Sequence, residues 1–447
     1  MSPTVMTRDD ARALIERVVK MSRADEIQVN VSAGHQSNVR FADNRVSTSG
    51  GVSDLSIAVY SAFGPKHAVA STNDISDEGL ERSVRQSETL ARLAPDDPEA
   101  LPLLGQQTYT DTRAYFESTA ALTPQARVEP ARMAIAAAKA AGNLKAAGFI
   151  AVGAGMEAVG NNRGLFAYHP STSVNYTLTV RTTDGTGSGW AGADHPDWSK
   201  IDFKATADRA MGKARLSRNP QPIEPGRYTV ILEPQAVGDL VQRIANALNA
   251  RTADEGRSAF AKRGGGSKIG ERIVDERVSL FSDPADPELL SAPFDDQGLP
   301  LSRQMWIENG LLKTLAYSRF WATKQGRQAT GPPNALKLTG GLASVEDMIR
   351  STPRGVLVTR FWYIRPVDPR TLLLTGLTRD GTFLIENGRI AKPVQNLRFN
   401  ESPLFMLNNV EMIGRPERIA GTESGGNVVL PALKLREFHF TSVSEAV

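Results

Sequence analysis

The hydrophobic positions near the start of the chain change from helical spacing to strand spacing and back. An apolar stripe at helical spacing predicts a helix over 7–21, with Thr7 as its N-cap. The stretch 26–31 then alternates apolar and polar residues, which indicates a half-buried strand. Further strands lead to a helix predicted over 77–93, and turns between the strands are predicted at Asp43-Asn44 and Gly50-Gly51. This order of helix, β-meander and helix predicts an α+β fold rather than a doubly wound one.

The same order of elements returns once more before residue 217. One helix is predicted from Thr123-Pro124 to residue 141 and another over 203–216, and the strands predicted between them cover 149–159, 164–168 and 173–182. The repetition hints at an internal duplication. A proline-rich break over 219–226 follows, so we expect an N-terminal α+β domain over 1–218.

The remaining residues, 226–447, predict a β-rich C-terminal domain with one prominent helix. A strand over 228–232 precedes that helix, which is predicted over 234–249, and most later apolar segments have strand character. Asn309-Gly310 and Asn387-Gly388 each stand between two apolar runs. Because a type I′ turn needs positive φ at both central residues, which Asn-Gly tolerates, each pair predicts a β-hairpin.

The composition excludes several kinds of chemistry. The chain has no cysteine and five histidines, so disulfides, thiol nucleophiles and Cys-ligated metal centres are excluded. The closest histidine pair, His169 and His195, is too widely spaced for a His-Glu-x-x-His motif. We also do not expect these two histidines to assemble a site with Asp194, because both precede prolines in loop-like segments.

Charge and hydropathy limit the partners. The net charge is only +3 and no long basic run is present, so nucleic-acid binding is not expected. No apolar run approaches the roughly 20 residues that span a bilayer, so no membrane partner is expected. The stretch 1–21 is typical of an amphipathic helix rather than a signal peptide, which predicts a cytoplasmic protein.

Five segments of the later chain form an ordered set of motifs. The strand and helix start at 230–238 read VILEPQAVG, 267–271 read SKIGE, and 291–298 read SAPFDDQG. The two predicted hairpins follow as IENGLL over 307–312 and FLIENGRI over 383–390. In order and spacing these segments resemble the TldD/PmbA metalloprotease family, in which PmbA is also called TldE: SKIGE is similar to its Gly-rich KLG stretch and SAPFDDQG to its signature APFDDEG. With the N-terminal helix and strand pattern, the resemblance spans nearly the whole chain.

The resemblance also implies which branch of the family the chain is similar to. TldD members carry His-Glu-x-x-x-His at the start of this helix and a later cysteine as third zinc ligand. Here these positions hold Pro234, Gln235 and Asp239, and no cysteine exists. The chain is therefore similar to the PmbA/TldE side, which lacks the zinc motif, and we expect no metal and no catalytic residue in it. Gln235 and Asp239 either line a peptide groove or are simply the polar residues that a helix start favours.

The implied function is that of a non-catalytic subunit of a TldD/TldE-type protease. Such a subunit pairs with a zinc-bearing TldD-like chain in a hollow heterodimer, where an unfolded peptide binds as an added strand and is cut. An older family name refers to modulation of DNA gyrase, which we interpret as indirect. Two alternatives stay open: a stand-alone peptide hydrolase with a different site, and a homodimer that binds peptides without cutting them.

Overall fold

A computed structural model describes residues 5–421 and 426–444, which form two β-sheets with helices packed against them. Helices account for 25% of the structure and strands for 41%, so the predicted α+β class is confirmed. No helix of the described residues is both long enough and apolar enough to cross a membrane.

The first sheet has six strands in the order β3-β2-β1-β4-β5-β6, and neighbouring strands are all antiparallel. Its strands are β1 Glu26–Ala42, β2 Arg45–Phe63, β3 Lys66–Thr72, β4 Leu144–Asn161, β5 Phe166–Thr182 and β6 Ser188–Asp194. The helices of this part are α1 Arg8–Met21, α2 Asp77–Leu93, α3 Glu117–Ala120, α4 Pro124–Ala140 and α5 Phe203–Leu216, with a short 3₁₀ helix at Trp198–Lys200. Each half of the sheet is thus flanked by two long helices.

Side-chain alternation along the strands separates an apolar face from a polar one. On β1, Val29 and Val39 point to the face against which α1, α2, α4 and α5 pack. The opposite face, called the open face here, carries Ser32, Gly34 and Gln36 of β1, and none of α1 to α5 packs on it. The first sheet is therefore a two-layer α/β unit whose open face is polar at its centre, while Val159 and Ala167 at one end of that face pack on Phe294.

One predicted turn of the first sheet is confirmed, whereas a second turn and a strand break are wrong. Asp43 and Asn44 form the predicted turn, with φ of 51° and 59°. Gly50 and Gly51 do not, because they continue β2 in register opposite Asn38 and Ser37 of β1. The break predicted between 168 and 173 is also wrong, since β5 runs through it while paired to β4. In both places a long neighbouring strand keeps the segment extended.

The second sheet has eleven strands. They are β7 Gly226–Leu232, β8 Leu280–Ser282, β9 Gln304–Glu308, β10 Leu311–Leu312, β11 Leu336–Leu338, β12 Arg354–Asp368, β13 Leu373–Glu386, β14 Arg389–Pro393, β15 Leu397–Glu401, β16 Val410–Arg418 and β17 Val428–Val443. Its helices are α6 Pro234–Ala247, α7 Ala250–Asp254, α8 Arg319–Gln325, α9 Val345–Arg350 and α10 Pro403–Asn408. Asn309-Gly310 and Asn387-Gly388 have positive φ throughout and connect β9 to β10 and β13 to β14, so both predicted hairpins are confirmed.

Five strands of this sheet pair in a closed ring, β17-β15-β13-β12-β7 and back to β17. The parallel pairing of β7 with β12 and the antiparallel pairing of β7 with β17 complete it. Helix α6 packs on β12 and β17 through Val237, Leu240, Val241 and Ile244, all fully buried. The ring and this helix share one large apolar core, which holds the start of α6 in place.

Candidate functional site

The connection from β7 to α6 carries the motif positions identified in the sequence. Glu233 is the N-cap residue, and its backbone N–H donates to the Val358 carbonyl of β12 at 3.1 Å. Pro234 follows at the first helical position, where its missing N–H costs nothing. The Glu233 side chain does not cap the helix and instead accepts a hydrogen bond from Lys213 Nζ of α5 at 2.5 Å. This ion pair links the start of α6 to the helix layer of the first sheet.

Gln235 and Asp239 lie one helical turn apart and contact each other. The Gln235 amide Nε2 donates to Asp239 Oδ1 at 3.0 Å, and the Phe361 backbone N–H donates to Asp239 Oδ2 at 2.9 Å. Gln235 is 5% exposed and Asp239 is fully buried. The carboxylate therefore ties α6 to β12 near the irregular pairing of Val358 and Arg360.

A cavity of about 510 Å³ opens at the start of α6. It lies between the edge strand β6, helix α5, the α6 start and the end of β16, and its walls include Asp194, His195, Lys213, Glu233, Gln235 and Arg418. Gln235 is thus at the cavity wall, whereas Asp239 lies a turn deeper. That either residue contacts a peptide stays a prediction.

Charged groups in the cavity wall balance one another. Asp194 Oδ1 accepts from Arg418 Nη2 at 3.1 Å and Asp194 Oδ2 accepts from Asn175 Nδ2 at 3.3 Å. Burial nevertheless raises the pKa of the Asp194 carboxyl, because desolvation outweighs these contacts. Burial, and then the positive charge of Arg418, lower the pKa of His195. Its Nδ1 accepts from the Asp197 N–H at 2.9 Å, so the neutral ring carries its proton on Nε2.

His169 lies apart from this cavity. It is on β5 opposite Glu157, is 5% exposed, and its Nδ1 contacts the Thr112 hydroxyl at 3.1 Å. Burial lowers the pKa of His169 to about 4. Asp194 and His195 are adjacent in the cavity wall, and His169 does not join them.

The donor set at the start of α6 does not fit zinc. Zinc sites use imidazole, thiolate and carboxylate ligands around one tetrahedral ion. Pro234 offers no ligand atom, the Gln235 amide is a weak one, and the Asp239 carboxylate is already held by two hydrogen bonds. Across residues 5–421 and 426–444, no group of three or more His, Asp or Glu side chains is arranged to hold a metal.

A second contact joins the two sheets close to the cavity. Arg360 of β12 forms an ion pair with Asp380 of β13, in which Nε and Nη2 both donate to Oδ2, at 2.9 and 2.5 Å. Asp380 Oδ1 accepts from the Ser188 hydroxyl of β6 at 2.5 Å. Asp380 has a φ of 54°, a left-handed conformation that Asp and Asn adopt more readily than most residues. The Arg360 guanidinium also lies over Trp190 of β6, 5.5 Å from the ring centroid.

Sequence reasoning missed most of the cavity wall. Lys213 and Arg418 come from distant segments and follow no spacing that a motif would reveal. Glu233 and Gln235 belong to the segment 230–238 identified in the sequence. Asp194-His195 was a further local signal, since an acid and an imidazole stand side by side before a proline.

Three domain profiles of one family match the chain. The profile of the PmbA/TldA metallopeptidase domain 1 matches residues 28–91, that of the central domain matches 117–218, and that of the C-terminal domain matches 225–442. Together they cover most of the sequence. The chain therefore belongs to the PmbA/TldD metallopeptidase family, as its sequence signatures predict.

Individual proteins agree with this assignment. The chain is 23% identical over 440 residues to the metalloprotease PmbA of Escherichia coli O157:H7, covering 93% of this chain and 91% of that protein. A metalloprotease of Methanothermobacter thermautotrophicus is 24% identical over 287 residues, which span 58% of this chain and 60% of that protein.

Solved structures show the same fold. TldE from Thermococcus kodakarensis superposes with a TM-score of 0.86 at 19% identity, over 97% of this chain and all of that one. A Thermotoga maritima protein described as a modulator of a DNA gyrase gives 0.86 at 18% identity, over 96% of this chain and all of that one.

Proposed function

We propose that this chain is the zinc-less, non-catalytic subunit of a TldD/TldE-type metalloprotease. Its partner would be a TldD-like chain that holds the zinc and cuts unfolded peptides. The observation that carries the proposal is the start of α6, where the family's zinc positions are Pro234, Gln235 and Asp239. Both oxygens of the Asp239 carboxylate accept hydrogen bonds that hold α6 to β12, and these contacts support a structural role for this position.

The surroundings support the same role. The Lys213–Glu233 ion pair and the Asp194–Arg418 ion pair stand in the cavity wall. In both ion pairs the carboxylate is already bound to a cation, which makes Glu233 and Asp194 poor candidates for the base that proteolysis needs. In the proposed heterodimer, this cavity would form part of the chamber wall next to the partner's zinc centre.

The proposal is tested by producing the chain alone and together with a TldD-like partner. We expect the isolated chain to carry no stoichiometric zinc by metal analysis and to leave an unfolded, labelled peptide intact. We expect the two chains to copurify and the pair to cut the peptide. A glutamine in place of the partner's motif glutamate should abolish cutting, because that carboxylate takes the proton of the zinc-bound water.

A substitution at Gln235 of this chain distinguishes a structural role of that residue from a catalytic one. Gln235→Ala should leave the cleavage rate of the pair within about twofold, since a side chain remote from reacting atoms changes the barrier little. Stoichiometric zinc in the isolated chain, or peptide cutting by it that Gln235→Ala removes, would overturn the proposal and favour the stand-alone hydrolase. A stable homodimer that binds peptide and ignores the partner would favour the peptide-binding alternative.

A further inference from the structure

The centre of the open face holds a groove whose floor is made of glycine. Gly34 of β1 lies directly opposite Gly155 of β4, and Gly153 follows on the same face. The groove has a volume of about 350 Å³. Its rim is made of polar side chains from four neighbouring strands: Ser32, Gln36, Asp54, Glu157, Ser171 and Ser173. We call this feature the glycine groove.

The three floor positions leave the groove open because they carry no side chain, and a Cβ added there would be crowded by its neighbours. A Cβ at Gly34 would lie 3.0 Å from the Ala154 carbonyl oxygen, and one at Gly155 would lie 2.9 Å from that of Ala33. A Cβ at Gly153 would lie 2.8 Å from Ser173 Oγ. Without side chains, the sheet backbone is accessible, so another main chain can approach it closely.

Two acidic side chains stand on the rim of the glycine groove. Asp54 of β2 pairs in register with Gly34, and Glu157 of β4 pairs with Ser32. Asp54 therefore stands beside the floor on the β2 side, and Glu157 stands at one end of the floor, two residues beyond Gly155 on β4. Neither forms an ion pair with any residue that the structure describes, and no Lys or Arg lines the groove. A cation entering it would meet two uncompensated negative charges.

The surrounding open face is not suited to a permanent apolar partner. The residues on this face of the neighbouring strands, around the glycine groove, are mostly Ser, Asn, Gln and Gly. Val52 is the exposed large apolar residue of the rim. Stable interfaces need a buried apolar centre, which this surface does not offer. Polar edges and an accessible backbone suit an extended chain that binds and leaves.

The glycine groove also leads towards the cavity at α6. Ser171, Ser173 and Asn175 follow one another on the same face of β5. Asn175 pairs in register with Asp194 of β6 and donates to its carboxylate at 3.3 Å. Asp194 lines the cavity at the start of α6. One line of polar side chains thus connects the two concave sites.

From this geometry we infer that the glycine groove binds a positively charged stretch of the extended peptide, with a Lys or Arg side chain between Asp54 and Glu157. The inference rests on the proposed function, since it assigns a substrate preference to a chamber wall. The peptide backbone lies over the glycine floor, and its cationic side chain is attracted by both carboxylates. Peptides with acidic residues at that place are repelled.

The test compares two fluorescent peptides of equal length, one with Arg-Arg and one with Glu-Glu at the centre of a Ser/Gly sequence. Binding to the full chain is measured by anisotropy at low and high salt. We expect the arginine peptide to bind more tightly, and added salt to weaken it. The double variant D54N/E157Q should weaken the arginine peptide roughly 2- to 30-fold, from two exposed ion pairs.

Control variants make the result specific. Glu16 and Glu78 are exposed acids on the helices of the opposite layer, so E16Q/E78Q removes the same charge without touching the groove and should change neither affinity. Ser171→Trp should block the arginine peptide by filling the groove from its rim. Unchanged thermal unfolding shows that each variant is folded.

Equal binding of the two peptides, no binding of either, or an arginine affinity unchanged in D54N/E157Q would overturn the inference. In those cases, cutting by the chain together with its zinc-bearing partner would leave the proposed function standing. Loss of cutting by the pair would count against the proposed function itself.

Discussion

Replacing Asp380 by Asn tests how the two sheets are held together. The Arg360 and Asp380 side chains are 7% and 2% exposed, so their charges compensate each other away from water. Asn keeps the shape and tolerates the left-handed backbone at this position, where φ is 54°. The substitution therefore removes the charge with little strain and leaves a buried guanidinium uncompensated.

The expected cost is large for a single substitution. Breaking a buried ion pair by removing one partner costs about 3–5 kcal/mol. The Ser188 hydroxyl also loses a charged acceptor, which keeps the cost towards the upper end. For a unit of this size, each kcal/mol lowers the unfolding midpoint by about 2–4 °C, so D380N should lower it by about 6–20 °C.

Thermal unfolding gives the midpoint temperature, and urea unfolding gives the free energy of unfolding. Both are followed by circular dichroism and by tryptophan fluorescence, since Trp190 and Trp362 both lie beside the Arg360 guanidinium. The double variant R360M/D380N should recover most of the loss, because it removes both charges. As a control, Asp208→Asn breaks an exposed pair with Lys204 and should cost at most about 0.5 kcal/mol. A loss below about 1 kcal/mol in D380N, or a double variant no better than the single one, would refute the reasoning.

Three further predictions concern the fold around the candidate site. Gly189→Ala should destabilise the protein by about 1–3 kcal/mol, because its Cβ would lie 2.3 Å from the Ala210 carbonyl oxygen of α5. Gly212→Ala has open space around the new Cβ and should stabilise the protein by up to about 1 kcal/mol. The urea unfolding midpoints of the two variants measure this difference. The pKa of His169 is about 4 in the folded protein and about 6.5 in the unfolded chain, so between these pH values the unfolded chain binds more protons. The free energy of unfolding should therefore fall by about 3 kcal/mol as the pH drops from 6.5 to 4. The variant His169→Gln should lack this loss. Asp239→Ala should cost at least about 2 kcal/mol, since two buried donors lose their acceptor, and an unfolding midpoint equal to wild type would contradict this.

The long helices could be predicted because their signals are local. The predicted helices 77–93 and 203–216 match α2 and α5, and Thr7 caps α1 through its hydroxyl as expected. Caps and periodicity act over a few residues, so distant parts of the chain do not change them.

The strands show where local signals stop. Gly50-Gly51 has the composition of a turn, yet it is extended because β1 continues on its side for the whole length. Strand pairing is decided by a neighbour that local sequence does not contain. The Asn-Gly turns at 309 and 387 could be predicted, since a two-residue turn itself makes the two strands beside it pair with each other.

The candidate site was predictable only in part. The motif positions 234, 235 and 239 could be located from the sequence, but their burial and the cavity beside them could not. Lys213, Asp194 and Arg418 meet there because the two sheets pack against each other. The glycine groove could not be predicted from the sequence either, since Gly34 and Gly155 become neighbours only through the register between β1 and β4.

The closed ring of the second sheet has a consequence for synthesis on the ribosome. Strand β7 begins at residue 226, and its partner β17 ends at residue 443. The ring of strands therefore cannot close until nearly all residues between these positions have left the ribosome. The first sheet needs only residues 26–194 and can form earlier. Until β17 arrives, β7 presents an unpaired apolar edge, which makes this interval the time when nascent chains are most exposed to aggregation and to chaperones.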